Sequence, residues 1–421
     1  MEQTTEHYFP SLQDISRAKL TLAEILSPTP LRADRCLSER YGAEVLLKRE
    51  DLQEVRSYKI RGAYNKIRSL SEEEMHRGVV CASAGNHAQG VAFSCARLKI
   101  EGHIYMPATT PRQKIEQVKM FGGGQTRIVL TGDTFDEANA AALAYCAEQG
   151  KTFIPPFDDP RIIEGQATIG MEIMQESRQR IDYLFVPIGG GGLASGVGAY
   201  FRQISPETKI IGVEPAGAAS MKAATEAGHI VELESIDKFV DGAAVKRAGK
   251  YTFPICREVL DDIVAVPEGA VCSTILELYN KSAIVAEPAG ALSIAALRFY
   301  ADRIQGKHVV AILSGSNNDI TRTEEIREKS LLYEGLKHYF IVRFPQRAGA
   351  LLSFVQDVLG PNDDIAYFSY MKKIHKEQGP AVIGIEVAEK SDFDALIGRM
   401  KERGIRYEYL NAKKDLFEFL V

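Results

Sequence analysis

Short apolar runs, many of them β-branched, alternate with helix-patterned stretches from Ala43 onward, and no other feature limits the fold as strongly. The runs are Val45 to Leu47, Val79 to Ala82, His103 to Pro107, Arg127 to Leu130, Thr152 to Pro155, Tyr183 to Ile188, Lys209 to Val213 and His308 to Leu313. Strands separated by helices spell βαβ units. The runs at 183–188 and 308–313 are nearly unbroken in apolar character, as strands covered on both faces must be. A parallel sheet and the α/β class are therefore expected.

A chain of 421 residues exceeds the usual single domain. Residues 1–320 are expected to form one unit of two lobes, the smaller, at about 55–155, being inserted into the larger. No Pro/Gly/Ser-rich linker separates the lobes, which suggests a cleft between closely packed neighbours. Beyond Asn317 the charged helix Thr321 to Glu334 reads as a connector over 321–336. From 337 to 421 the pattern changes to strand Lys337 to Phe344, helix Gly349 to Leu359, strand Ile365 to Met371, strand Ala381 to Val387, helix Asp392 to Arg403 and strand Ile405 to Leu410. This βαββαβ order is that of a ferredoxin-like α+β domain.

Composition narrows the function classes. A net charge of -5 leaves no basic excess to attract nucleic acid. Six cysteines without a Cys-x-x-Cys pair, and histidines without metal-ligand spacing, suit a reducing cytoplasm and leave any metal unknown. Glu2, Glu6, Asp14 and Glu24 interrupt the first thirty residues, so no signal-peptide core is expected, and no uncharged run reaches the length of a membrane span.

Three stretches carry chemistry. In Ser57-Tyr58-Lys59-Ile60-Arg61-Gly62-Ala63, Lys59 stands at a strand-to-helix junction. The helix N-terminus, Arg56 and Arg61 all disfavour its ammonium form, and a lysine of lowered pKa is the amine that forms a Schiff base with a carbonyl compound. By position alone, a solvated surface lysine is the favoured reading, and the lysine by itself proves nothing. Gly189, Gly190, Gly191 and Gly192, with Leu193, follow a strand and open a helix, the layout of a phosphate cradle. A plain tight turn, or a dinucleotide site using Glu214, fits the same spacing. The loop Ser83-Ala84-Gly85-Asn86-His87-Ala88-Gln89-Gly90 offers backbone N–H groups and two polar side chains to a carboxylate, although Asn86 could instead cap its own helix. Ser314 ends the last apolar run, at the sheet edge where ligands of open α/β sheets sit; a serine that merely starts a turn is the alternative.

These motifs, in this order, resemble the pyridoxal-phosphate enzymes of the tryptophan-synthase-β fold type. Their wording resembles the threonine dehydratases (threonine ammonia-lyases) of the biosynthetic short form. The likeness runs from about Ile25 to about Arg322, and the tail resembles an ACT-type regulatory domain. The resemblance implies pyridoxal 5'-phosphate attached at Lys59 and its phosphate at Gly189 to Leu193. It places Asn86 at the cofactor's phenolic oxygen, Ser83 to His87 at the substrate carboxylate, and Ser314 at the pyridine nitrogen. A serine does not hold that nitrogen protonated, which favours β-elimination over transamination. Related serine racemases carry a serine, their second base, where this chain has Ala84, so dehydration is favoured over racemisation. Some relatives bind a cation near Glu214, where an ordinary strand-end carboxylate is the other reading; Glu287, in Ala286-Glu287-Pro288-Ala289-Gly290-Ala291, matches a family motif without a role.

The resemblance thus implies conversion of L-threonine to 2-oxobutanoate and ammonia for isoleucine synthesis. It also implies a homo-oligomer, dimer or tetramer, and a branched-chain amino-acid effector, most plausibly isoleucine as inhibitor, at the loop Pro345 to Ala350. An assembly module without a ligand is the alternative for the tail. For the whole chain the alternatives are a catabolic serine/threonine dehydratase or other β-eliminating relative, and a non-catalytic amino-acid sensor or nucleotide-binding protein.

Overall fold

The computed structural model describes residues 8–370, 377–413 and 416–417. Among them are fourteen strands, numbered here in chain order, in three sheets. The largest sheet has the order β1 (Leu31–Ala33), β2 (Glu44–Arg49), β10 (His308–Leu313), β7 (Tyr183–Pro187), β8 (Lys209–Pro215) and β9 (Asp262–Val266). Every neighbouring pair is parallel except β1 with β2. β10 is buried along its whole length, at the centre of the sheet. Its six residues need cover on both faces, which is why the apolar run is unbroken. Val186, Val310, Ile312, Val197 and Phe201 join sheet and helices in one core, and each such side chain contributes roughly 1.5–3 kcal/mol by leaving water.

The smaller lobe carries a fully parallel sheet in the order β5 (Thr126–Leu130), β4 (Gly102–Met106), β3 (Val79–Ala82) and β6 (Thr152–Phe153). Val79, Ile104 and Met106 pack with Ala88, Val91 and Cys95 of the helix Asn86–Leu98 and with Val118. In both sheets the strands expected from the apolar runs are present. β1 and β9 were not expected. β1 is only three residues long and shows no continuous apolar run, whereas β9, an edge strand opened by Asp262, carries the apolar run Ile263 to Val266 and was missed.

The chain separates into two compact units, Met1–Ile320 and Thr321–Val421. In the second unit β12 (Asp364–Tyr370), β13 (Gln378–Glu386), β11 (Lys337–Pro345) and β14 (Tyr407–Tyr409) form an antiparallel sheet in that order, the ferredoxin-like arrangement. Phe340, Ile383, Leu396 and Met400 fill its core. The charged helix begins at Thr323 and runs to Glu334. Within this unit it is tied to the sheet: Glu328 pairs with Lys337 and accepts the Tyr339 hydroxyl at 2.7 Å, and Arg327 reaches Glu386 at 2.5 Å. Met371, the expected end of β12, lies outside the described residues.

Candidate active site

The loop before Lys59 is zipped onto the exit of β10. Ser57 bridges Gly315, the Tyr58 N–H donates to the Ser314 carbonyl at 3.1 Å, and the Ser316 N–H donates to the Arg56 carbonyl at 2.9 Å. Arg56 takes a left-handed φ of 59° to make that turn. The helix Lys59–Arg68 then starts at the lysine itself. Lys59 is half-buried, and its Nζ donates to the Pro156 carbonyl at 2.7 Å. Burial pushes its ammonium down to about 8, against the pull of Glu287. The direction agrees with the expectation, and the lysine does open a helix, but the two arginines are not the cause. Arg56 is exposed, and Arg61 is buried among carboxylates, so lost hydration and not neighbouring cations lowers the lysine.

The glycine run sits between β7 and the helix Gly192–Ile204, whose cap, Gly191, has φ 94° and supplies no side-chain hydrogen bond. A Cβ at Gly190 would enter the Phe157 ring, and one at Gly191 would lie 2.6 Å from Met221 Cε. The loop is closely backed, with no room for a side chain at either position. Thr252 holds it from behind, its hydroxyl donating to the Gly190 carbonyl at 2.6 Å. Phe157 follows Pro156, the acceptor of Lys59, so one short segment ties the amine to the cradle.

Asn86 does not cap its helix. Gly85 is the cap residue and makes no side-chain bond. The Asn86 amide donates to Glu287 Oε1 at 2.5 Å and accepts from Asn317 Nδ2 at 2.8 Å, and Asn317 also donates to the Val55 carbonyl at 2.9 Å. Small-lobe and large-lobe residues therefore meet at Asn86. A second link, Lys114 with Asp241, joins the lobes nearby. Burial, with Asp241 adding to it, pushes the Glu287 carboxyl up to about 8. His87 is buried against the Ile154 carbonyl at 2.9 Å and pushed down to about 3 by burial, hence neutral. In Ser83–Asn86, all half-buried, the Gly85 N–H donates to Ser83 Oγ at 3.2 Å, and Ala84 brings no titratable group.

Ser314 is buried, and its hydroxyl donates to the Ala289 carbonyl at 3.2 Å. Glu214 lies elsewhere in role. It is wholly buried and accepts the Met221 and Lys222 N–H groups at 2.7 and 2.8 Å, closing the start of the helix Ser220–Ala227. Burial raises it to about 7. A carboxylate so engaged does not reach a ribose, and no group of three or more potential metal ligands occurs among the described residues. Asn317, Phe157 and Pro156 were missed as site residues, and their contacts are tertiary with no spacing signal. Glu287 was noticed only as a motif.

The described residues offer an aldehyde-reactive amine, a glycine cradle that any side chain would fill, an oriented amide at Asn86 and a hydroxyl at the strand end. That donor set fits pyridoxal phosphate. A family model described as pyridoxal-phosphate dependent enzyme matches residues 22–315, and one described as C-terminal regulatory domain of threonine dehydratase matches 328–420. The chain is 57% identical over 410 residues to the biosynthetic L-threonine dehydratase IlvA of Halalkalibacterium halodurans, covering 97% of this chain and 99% of that one. It is 55% identical over 416 residues to the protein of the same name from Bacillus subtilis, covering 99% of each. The processed form of threonine deaminase isoform 2 from Solanum lycopersicum superposes with a TM-score of 0.72 at 42% identity, over 76% of this chain and 95% of that structure.

Proposed function

Since the chain belongs to the pyridoxal-phosphate-dependent enzymes and, among them, to the threonine dehydratases, we propose that it deaminates L-threonine to 2-oxobutanoate and ammonia in isoleucine biosynthesis. The observation that carries this reading is Lys59, an amine lowered to about 8 and tied through Pro156–Phe157 to the glycine cradle. When bound, pyridoxal phosphate supplies the electron sink that stabilises charge left on the substrate α-carbon. The chain does the rest by position and charge. Backbone N–H groups from Gly189 to Leu193 hold the phosphate at the positive end of a helix. The loop Ser83 to His87 would receive the substrate carboxylate, Asn86 would offer an amide N–H to the phenolic oxygen, and the Ser314 hydroxyl, turned from the Ala289 carbonyl, would donate to the pyridine nitrogen without protonating it. Lys59 Nζ, poised near neutral pH, takes the α-proton. With Ala84 on the opposing loop no second base is offered there, which supports elimination over racemisation.

The test is chemical. Borohydride should abolish the visible absorption of the holoenzyme and fix the cofactor to one peptide, at Lys59. Fixation at another residue overturns the assignment, and turnover of L-serine in strong preference to L-threonine overturns the biosynthetic reading.

The second unit is read as the sensor of a branched-chain amino acid, isoleucine as inhibitor, acting between copies of a homo-oligomer. Support comes from the match over 328–420 and from the loop Pro345 to Ala350, where Gly349 takes φ 78° with open space beside it. The edge strand β12 exposes Tyr367, Phe368 and Tyr370, apolar surface suited to pairing. A cytoplasmic location fits the cysteines, all of them free thiols.

A further inference from the structure

Arg61 is the largest fully buried side chain among the described residues, 1% exposed, and it lies two residues beyond Lys59. Its guanidinium has five N–H donors, and all are used. Nε donates to Glu50 Oε2 at 2.8 Å; Nη1 donates to Thr168 Oγ1 at 3.1 Å and Glu172 Oε1 at 2.7 Å; Nη2 donates to Glu50 Oε1 and Glu172 Oε2, each at 2.8 Å. Lys48, also fully buried, pairs with Glu172 at 2.8 Å. Lys48 also reaches Glu176 at 3.0 Å, so two cations and three carboxylates form a network joining the helix Lys59–Arg68 to β2 and to the helix Pro160–Glu176. Lys48 lies opposite Ile312 in β10, two residues before Ser314.

A buried ionic network is a poor source of stability, because desolvation offsets its attraction and apolar packing serves as well or better. Orientation is what it supplies. Residues two apart on an α-helix point about 200° from one another, so fixing Arg61 in a five-bond socket on one side turns Lys59 to the other, where the Pro156 carbonyl receives it. We propose that Arg61 is a positioning residue that sets the rotation of the helix start and hence the aim of Lys59 Nζ. This rests on Lys59 being the reactive amine.

Arg61→Lys keeps the charge but offers three donors in place of five. Thr168→Val leaves one donor unpaired at nearly constant shape, and it guards against loss of folding in the first variant. For Arg61→Lys, kcat per folded molecule should fall on the order of ten- to a hundredfold, the scale of a small misplacement of a reacting group, with KM for threonine changed less than about twofold. The visible circular dichroism of the bound cofactor should change, and the alkaline limb of the pH–kcat profile should shift. Thr168→Val should move the same readouts in the same direction by a smaller factor. Wild-type kcat and dichroism in both variants, or losses that track only the fraction of folded protein, would overturn the proposal. Borohydride fixation in the wild type keeps the underlying reading separate: if it marks Lys59 while the variants behave as wild type, only the positioning role falls.

Discussion

Lys59, pushed down to about 8, and Glu287, pushed up to about 8, titrate in one range from opposite sides. Between 8 and the ordinary lysine value of 10.5 the unfolded chain binds more protons at Lys59, so its contribution makes stability rise with pH in that window. Between the ordinary 4.5 and 8 the folded chain binds more protons at Glu287, so its contribution makes stability fall as pH rises. Denaturant titrations of the cofactor-free protein should show both slopes as differences from variants: Lys59→Met loses the rise above pH 8, and Glu287→Gln loses the fall below it. Equal pH slopes in wild type and variants would contradict the burial of these groups. Lys59→Ala should cut turnover by orders of magnitude while circular dichroism keeps the folded signature, since it removes the residue proposed as both attachment point and base. Ser314→Asp should raise the ratio of transamination to elimination products, because an adjacent carboxylate favours a protonated pyridine nitrogen. Lys59, Asn86 and Ser314 could be singled out because each sits in a worded motif near a strand end. The effect of Arg61 was misread because closeness in sequence was taken for closeness in space, whereas a two-residue step on a helix turns a side chain to the far face.

The glycine loop shows how an element carries a site that no side chain performs. Its backing is Phe157, Met221 and Thr252, drawn from three separate parts of the chain. Gly190→Ala must displace either the Phe157 ring or the loop. The cofactor dissociation constant, read by fluorescence titration, should rise at least about tenfold, the loss of one good charged hydrogen bond. An unchanged constant would remove this loop from the phosphate site. Strand, glycines and helix could be read from sequence, because their order is local. The backing could not, since nothing in the spacing of Phe157 or Thr252 announces a partner near residue 190. The same holds for Asn317, whose grip on Asn86 spans 231 positions, and for the three-residue strand β1.

For the molecule as a whole, the helix Thr323–Glu334 belongs with the second unit, held there by Glu328 and Arg327. A chain ended at Ile320 is therefore the cleaner cut than one ended at Glu334, which would leave that helix without the sheet it grips. The shortened chain should keep threonine turnover and lose any response to millimolar isoleucine. Persistence of inhibition would place the effector in the first unit. One feature of the first unit also bears on how the chain is made. β10, the central strand, is among the last parts of that unit to leave the ribosome, and it alone joins β2 to β7. During synthesis the two halves of the large sheet must wait for it, whereas β3 to β6 are consecutive and can collapse early. A nascent chain arrested before residue 308 should then protect the small lobe from protease while the large one is digested. Because Ser314 and Asn317 follow β10 directly, a half-made enzyme cannot offer a reactive lysine in a finished setting to passing metabolites.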